Sequence, residues 1–369
     1  MKFNLGTALL LLAVVALCSV SSFAAAGAVY TINNSSSGNA VLIFSRSATG
    51  EISAAGMVST GGLGTDGGLG NQGALAIDAN NSLLFAVNAG SDSVSVLKIQ
   101  DNGLRLIGVT PSGGKRPISL TVSRGILYVL NNGAAAGSSD TIAGFAVGGT
   151  GRLTPIVSGL ALSAASVGPA QIGFNNDGNL LLVAEKATNN IDVFSVDDDG
   201  VAVGPTVVPS AGQTPFGFAF GKRNEVFVSD AFGGGANAGA VTSYTVSNGQ
   251  PLRTVTNAAP DQQTAPCWVV LTNDGRFAYT TNTGSGVVSG FSVTFNGKLQ
   301  LLNADGQTAS TGTGSKPLDA AISSDARYMY VLTPGTNNIQ GFSIGWDGSL
   351  TPLTQSSGVP SSASGLIAR

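Results

Sequence analysis

The chain has 369 residues, of which only 10% are charged, with 17 Lys and Arg against 20 Asp and Glu, no His and 52 Gly. A mildly acidic chain without a basic cluster excludes nucleic acid as the expected partner. Glycine abundance with so little charge suits tight turns and close-packed strands and excludes a charged coiled coil.

Residues 1–26 have the order of a secretory signal peptide: Lys2, an apolar run over residues 8–20, then small residues 21–26. Cleavage after Ala26 leaves residues 27–369 as the expected mature domain, secreted or periplasmic. Leu17 before Cys18 does not fit a lipid-anchoring signal, and no later run is apolar for long enough to span a membrane. Cys267 is then the only cysteine left, so no internal disulfide is expected.

From residue 29 onward one unit recurs seven times. A strand-like run ending in a polar residue occupies residues 29–33, 84–88, 127–131, 181–185, 226–230, 278–282 and 329–333. A second alternating run follows each, then a tight turn such as Asn296-Gly297 or Asp347-Gly348 and a short third run. A fourth run precedes the first and opens with Pro117, Pro169, Pro215, Pro266 or Pro317, spaced 52, 46, 51 and 51 residues apart. Four strands in about 45–50 residues make a propeller blade, so the pattern predicts an all-β, seven-bladed propeller. The first unit has no room before it for an inner strand, whereas residues 360–368 follow the last unit as an orphan, so N- and C-terminal segments are expected to close blade seven together. A WD-repeat propeller is excluded by the absence of His, and a parallel β-helix by the antiparallel hairpin turns.

In a propeller, loops entering the innermost strand and loops leaving the second strand share one face. Its expected ring of strand-end residues is Asn33, Asn88, Asn131, Glu185, Asp230, Asn282 and Thr333. Strand-end Asn commonly serves turns. Glu185 and Asp230 depart from that pattern and are the candidate catalytic pair, as acid and base or as ligands of a divalent cation at the channel mouth. Inner-strand entries add Arg116, Gln171, Trp268, Lys316 and Asp319 as candidate ligand contacts, with Trp268 either packing between blades or offering a stacking ring to a ligand. Residues 59–73, 131–141 and 230–240 are long, small-residue-rich segments placed to overhang the mouth, either as lids over a ligand or as tolerated insertions. Asp197-Asp198-Asp199-Gly200 lies where other blades have a hairpin turn and is read as one. Asn33, Asn34 and Asn80 each open an Asn-x-Ser triplet.

Residues 273–282 (Asn-Asp-Gly-Arg-Phe-Ala-Tyr-Thr-Thr-Asn), followed by the runs 287–293 and 296–299, resemble the seven-bladed lactonase family, which includes propeller-type 6-phosphogluconolactonases and carboxymuconate-cyclising enzymes. The same pattern also appears in non-catalytic surface propellers with Tyr-Val-Thr-Asn repeats. The resemblance covers nearly all of the mature chain. It implies a lactonase-like or cyclase-like activity on a sugar lactone or small carboxylate, without an organic cofactor. Family enzymes place an Arg and a His just after an inner-strand proline and an acid at the end of the next strand. Here the stretch after Pro169 reads Ala170-Gln171, and the acid is Glu185. The alternative is a non-catalytic secreted propeller that binds a small ligand or a protein at the same face.

Overall fold

The computed structural model describes residues 26–80, 82–101, 103–247 and 252–369. The expected signal peptide lies outside these residues except for Ala26. Seven antiparallel sheets follow one another along the chain, as the repeat predicts. Numbering from the first complete unit, blade one runs Leu75–Ile77, Leu83–Asn88, Ser93–Gln100 and Gly103–Pro111, from the axis outward. Blade two begins at Pro117–Ser123, blade three at Pro169–Phe174, blade four at Pro215–Phe220, blade five at Pro266–Leu271 and blade six at Ala320–Ile322. The outer strands of blades five and six are interrupted, each leaving a two-residue piece, Ala309–Ser310 and Ser356–Ser357.

Blade seven is built from both termini. Ser364–Ala368 forms its inner strand and pairs with Gly27–Ile32, while Ala40–Arg46 and Ile52–Ser59 complete it. Arg369 N donates to Ala28 O at 2.9 Å, and Arg46 Nε to Arg369 O at 3.2 Å. The ring is therefore closed by main-chain hydrogen bonds and leaves no open edge between first and last blades.

Alternation of the repeat explains the packing. Six third strands carry a buried aromatic at one register position (Phe44, Phe145, Phe194, Tyr244, Phe291 and Phe342) and the remaining blade has Leu97 there. Burying each such ring contributes about 2–3 kcal/mol. Second-strand tyrosines link blades: Tyr128 Oη donates to Gly200 O (2.8 Å), Tyr279 to Gly348 O (2.9 Å) and Tyr330 to Gly50 O (2.7 Å), each in the outer hairpin turn of the next blade. Gly200 thus lies in such a turn, as read for the Asp197–Asp199 run; Gly348 has φ +85° and a Cβ there would meet the Phe277 ring at 2.6 Å, which is why glycine holds the position. Cys267 is buried and unpaired.

Candidate functional site

Second strands end at Asn88, Asn131, Glu185, Asp230, Asn282 and Thr333, and all six side chains are wholly buried. They do not ring the channel mouth. Five of them are turned into the joint with the preceding blade, against the connection that leaves that blade's outer strand, while Thr333 Oγ1 donates within its own blade to Asn338 O at 2.8 Å. Asn88 Oδ1 accepts from Thr60 Oγ1 (2.6 Å) and Asn39 Nδ2 (3.0 Å), while its Nδ2 donates to Ser95 Oγ (2.7 Å). Asn282 Nδ2 donates to Ser289 Oγ (2.8 Å), which faces Asp261 in the connection. Glycine in the connection makes the approach possible: a Cβ at Gly62, Gly114 or Gly212 would lie 2.3, 2.7 or 2.0 Å from the side chain of Asn88, Asn131 or Asp230.

Glu185 and Asp230 occupy the same joints. Glu185 Oε2 accepts from Ser163 Oγ (2.6 Å) and Thr188 Oγ1 (2.5 Å), and Asp230 Oδ2 from Thr242 Oγ1 (2.5 Å). Neither carboxylate reaches solvent, so their expected position at an open mouth is corrected: the strand pleat directs strand-end side chains between blades rather than toward the axis. Asp192 on the third strand of blade three, itself buried, accepts from Ser163 N at 2.8 Å beside Glu185. Burial first, and then the adjacent Glu185 carboxyl, push Asp192 well above the ordinary carboxyl value, so that the pair favours holding a proton. Burial pushes Asp230 up to about 7 against the Thr242 hydrogen bond. Among the described residues no three His, Cys, Asp or Glu side chains come together as a metal cage.

The axis is occupied by the chain itself. Of the three expected lids, residues 59–73 send their end, residues 70–73, across the channel. Gln72 N donates to Ala170 O (3.0 Å) in blade three, and Leu120 N in blade two donates to Gly73 O (2.8 Å). Ser119 Oγ donates to Gln72 O (2.6 Å), Asn71 Nδ2 to Ile118 O, and Ser364 Oγ of blade seven to Asn71 Oδ1 (3.2 Å). From blade five, Trp268 Nε1 donates to Asn71 O (2.7 Å). The Gln72 amide completes the crossing by donating to Val269 O (2.9 Å) and accepting from Val269 N (3.1 Å). An inner strand is the free edge of its blade and needs partners for its axis-facing main chain. Gln72 supplies them to blade five, and Gln171 does the same for blade four, bonding Phe218 O at 3.0 Å and Phe218 N at 2.6 Å.

Of the expected ligand contacts, Gln171, Trp268 and Asp319 therefore meet around the axis. Trp268 is only 4% exposed and packs 5.1 Å from Phe216, so its ring is an anchor for the crossing and is not open as a stacking platform. Asp319 accepts from Gly365 N (2.9 Å), and burial pushes its carboxyl up to about 7. Arg116 and Lys316 remain in the connections before blades two and six, both with left-handed backbones; Arg116 N donates to Asp92 Oδ1 at 2.8 Å.

Sequence reasoning missed Asn71, Gln72, Asp192 and Lys186. Lys186 Nζ donates to Gly70 O (2.5 Å) and Pro169 O (3.2 Å) and lies 4.6 Å from the Phe216 ring centre, fastening the crossing from the mouth side. Desolvation draws its ammonium down to about 8. Below the crossing an axial cavity of about 380 Å³ runs from Gln72, Gln171 and Asp319 past Phe174 and Phe218 to Phe220 on the inner-hairpin side.

The chain matches the family model described as lactonase, 7-bladed beta-propeller, over residues 22–167 and 221–360. No curated protein sequence matches it. Among solved structures, a protein of Lactobacillus plantarum superposes with a TM-score of 0.73 at 17% identity, covering 93% of this chain and 99% of that one. The periplasmic gluconolactonase of Pseudomonas aeruginosa gives 0.72 at 17%, covering 93% and 98%. A Bacteroides uniformis protein provisionally described as a 6-phosphogluconolactonase gives 0.72 at 16%, covering 93% and 99%. At such identities the likeness carries the fold alone.

Proposed function

Since the chain belongs to the seven-bladed β-propeller lactonase family, we propose that it is an exported propeller that binds a small lactone or carboxylate but does not hydrolyse it with the strand-end acids. The observation that carries this reading is the sealing of Glu185, wholly buried and bonded to Ser163 and Thr188. Lactone hydrolysis needs a base in reach of the attacking water and a donor for the developing oxyanion. Glu185 and Asp230 reach no water, Ala170 is buried, and the Gln171 amide is engaged by Phe218. The axial cavity is the better place for a ligand: about 380 Å³ suits a molecule of monosaccharide size, with phenylalanine walls and a few polar groups at its blind end. Export rests on the order of residues 1–26. Among the described residues no helix is long and apolar enough to cross a membrane.

A second reading is favoured by Asp319 alone. A carboxyl raised to about 7 at the blind end of a cavity suits a general base that takes a proton from water as that water attacks a lactone carbonyl and the ring C–O bond opens. The test is a hydrolysis screen of five- and six-membered unphosphorylated sugar lactones, with and without added divalent metal, paired with thermal-shift assays of the same compounds. The proposal expects no turnover above the spontaneous rate and a ligand-dependent rise in Tm that Phe218→Ala removes. Turnover lost in Asp319→Asn at unchanged Tm establishes the second reading, and turnover lost in Glu185→Gln overturns the first.

A further inference from the structure

Two residues before the glycine that recurs in each turn between third and outer strands, the sequence carries Ala48, Asp101, Gly149, Asp198, Ser247, Phe295 and Trp346. Five are small or acidic. The two aromatics lie on neighbouring blades, five and six, and stand 83% and 84% exposed. Both turns are pinned by the same device one blade apart. Arg223 of blade four donates from Nε to Phe295 O (2.9 Å) with its guanidinium 4.7 Å from the ring centre, and Arg276 of blade five donates from Nη1 to Trp346 O (3.3 Å). Tyr279 Oη holds the second turn again through Gly348 O. The rings are thus presented on rigid supports, which lowers the entropy lost when a ligand is bound.

Beside Trp346 opens a cleft of about 510 Å³ lined by Lys222, Asn273, Asp274, Arg276 and Phe277. The nearby arginines already have carboxylates: Arg276 with Asp274 at 2.5 Å, Arg223 with Glu225 at 3.1 Å and Arg327 with Asp325 at 3.1 Å. A polyanion or an anionic membrane would have to compete with these pairs. A neutral, hydroxyl-rich ligand with apolar ring faces does not: it stacks on an aromatic and bonds the same side chains without disturbing their charges. We propose that this face binds a neutral oligosaccharide, with one sugar stacked on Trp346 over the cleft and the chain extending toward Phe295. The site is separate from the axial cavity and does not rest on the function proposed above.

The chain's two tryptophans make the test direct, because Trp268 is buried and bonded to Asn71 while Trp346 is exposed. Emission is followed while the protein is titrated with β-1,4-glucose, α-1,4-glucose and β-1,4-N-acetylglucosamine hexamers and, separately, with phosphatidylglycerol vesicles. At least one hexamer should shift emission to the blue. Affinity electrophoresis with that sugar should show about tenfold weaker binding in Phe295→Ala, loss in Trp346→Ala, and no change in Phe218→Ala. No shift with any hexamer up to about 10 mM, undiminished binding in Trp346→Ala, or a response to vesicles alone overturns the proposal.

Discussion

On the side of the ring where blades connect, Asn88, Glu185 and Asp230 are wholly buried and bonded into joints, and residues 70–73 cross the axis. On the opposite, hairpin side, Phe295 and Trp346 stand more than four-fifths exposed at turn tips. Both sets depart from the residue that other blades carry at the same position. The acids change the chemistry of a position that is buried in every blade where it ends a second strand, so they inherit its structural duty. The aromatics alter a position at the surface, where packing demands nothing of them. A departure from a repeat thus points to function only where the repeat leaves the side chain free.

Both sides exist only in a closed ring, and opening that ring has the largest expected effect. Deleting residues 364–369 removes the inner strand of blade seven with its bonds to Ala28 and Arg46, and the Gly365 contact to Asp319. We expect Tm to fall by more than about 10 °C, or cooperative unfolding to be lost. A truncated protein that melts within a few degrees of the intact one contradicts closure by the termini. Next in size, Gln72→Ala strips both axis-facing groups of Val269 of their partner and should cost about 2–4 kcal/mol in denaturant unfolding.

A smaller effect follows from the buried acids. Asp192, Asp230 and Asp319 are raised above the carboxyl value of 3.8, the last two to about 7, in each case chiefly by burial. The folded state then holds protons that the unfolded chain releases, so stability should fall as pH rises from about 4 to about 7. Asp192→Asn, which keeps the shape and removes the ionisation, should flatten that slope and raise Tm at pH 8; an unchanged slope in urea titrations at pH 5, 6.5 and 8 argues against a protonated Asp192. The smallest effect belongs to the hairpin side: Trp346→Ala and Phe295→Ala should each move stability by no more than about 0.5 kcal/mol.

Much of the fold was legible because strand alternation, Asp-Gly and Asn-Gly turns and the inner-strand prolines recur with one period. The orphan run 360–368 also pointed to closure, and the structure places Ser364–Ala368 there. Pro317 opened its unit as the other prolines did, yet regular pairing in blade six begins only at Ala320, beyond Asp319 and its bond to blade seven. The candidate site was less legible. Which way a strand-end side chain points depends on a pleat that no periodicity reports, although Gly62, Gly114 and Gly212, each the third residue of its connection, were a sign of close approach. Asp192 faces Glu185 across one hairpin where Ser95, Thr242 and Ser289 stand in other blades, and two acids so placed were a readable sign of a shared proton. The axial crossing by Asn71 and Gln72 had no local signature, since its partners lie as far away as Val269 and Ser364.

The connection side is closed by its own chain, and amide hydrogen exchange over residues 70–73 is the sharpest probe of that closure. Gln72 N is bonded to Ala170 O, and the crossing touches the inner strands of blades two, three, five and seven. The Gln72 amide should therefore exchange as slowly as amides of the inner strands Pro117–Ser123 and Pro215–Phe220, opening only with the ring itself. Exchange at the rate of an exposed loop, with those strands still protected, would show a movable lid over an open mouth and contradict the account.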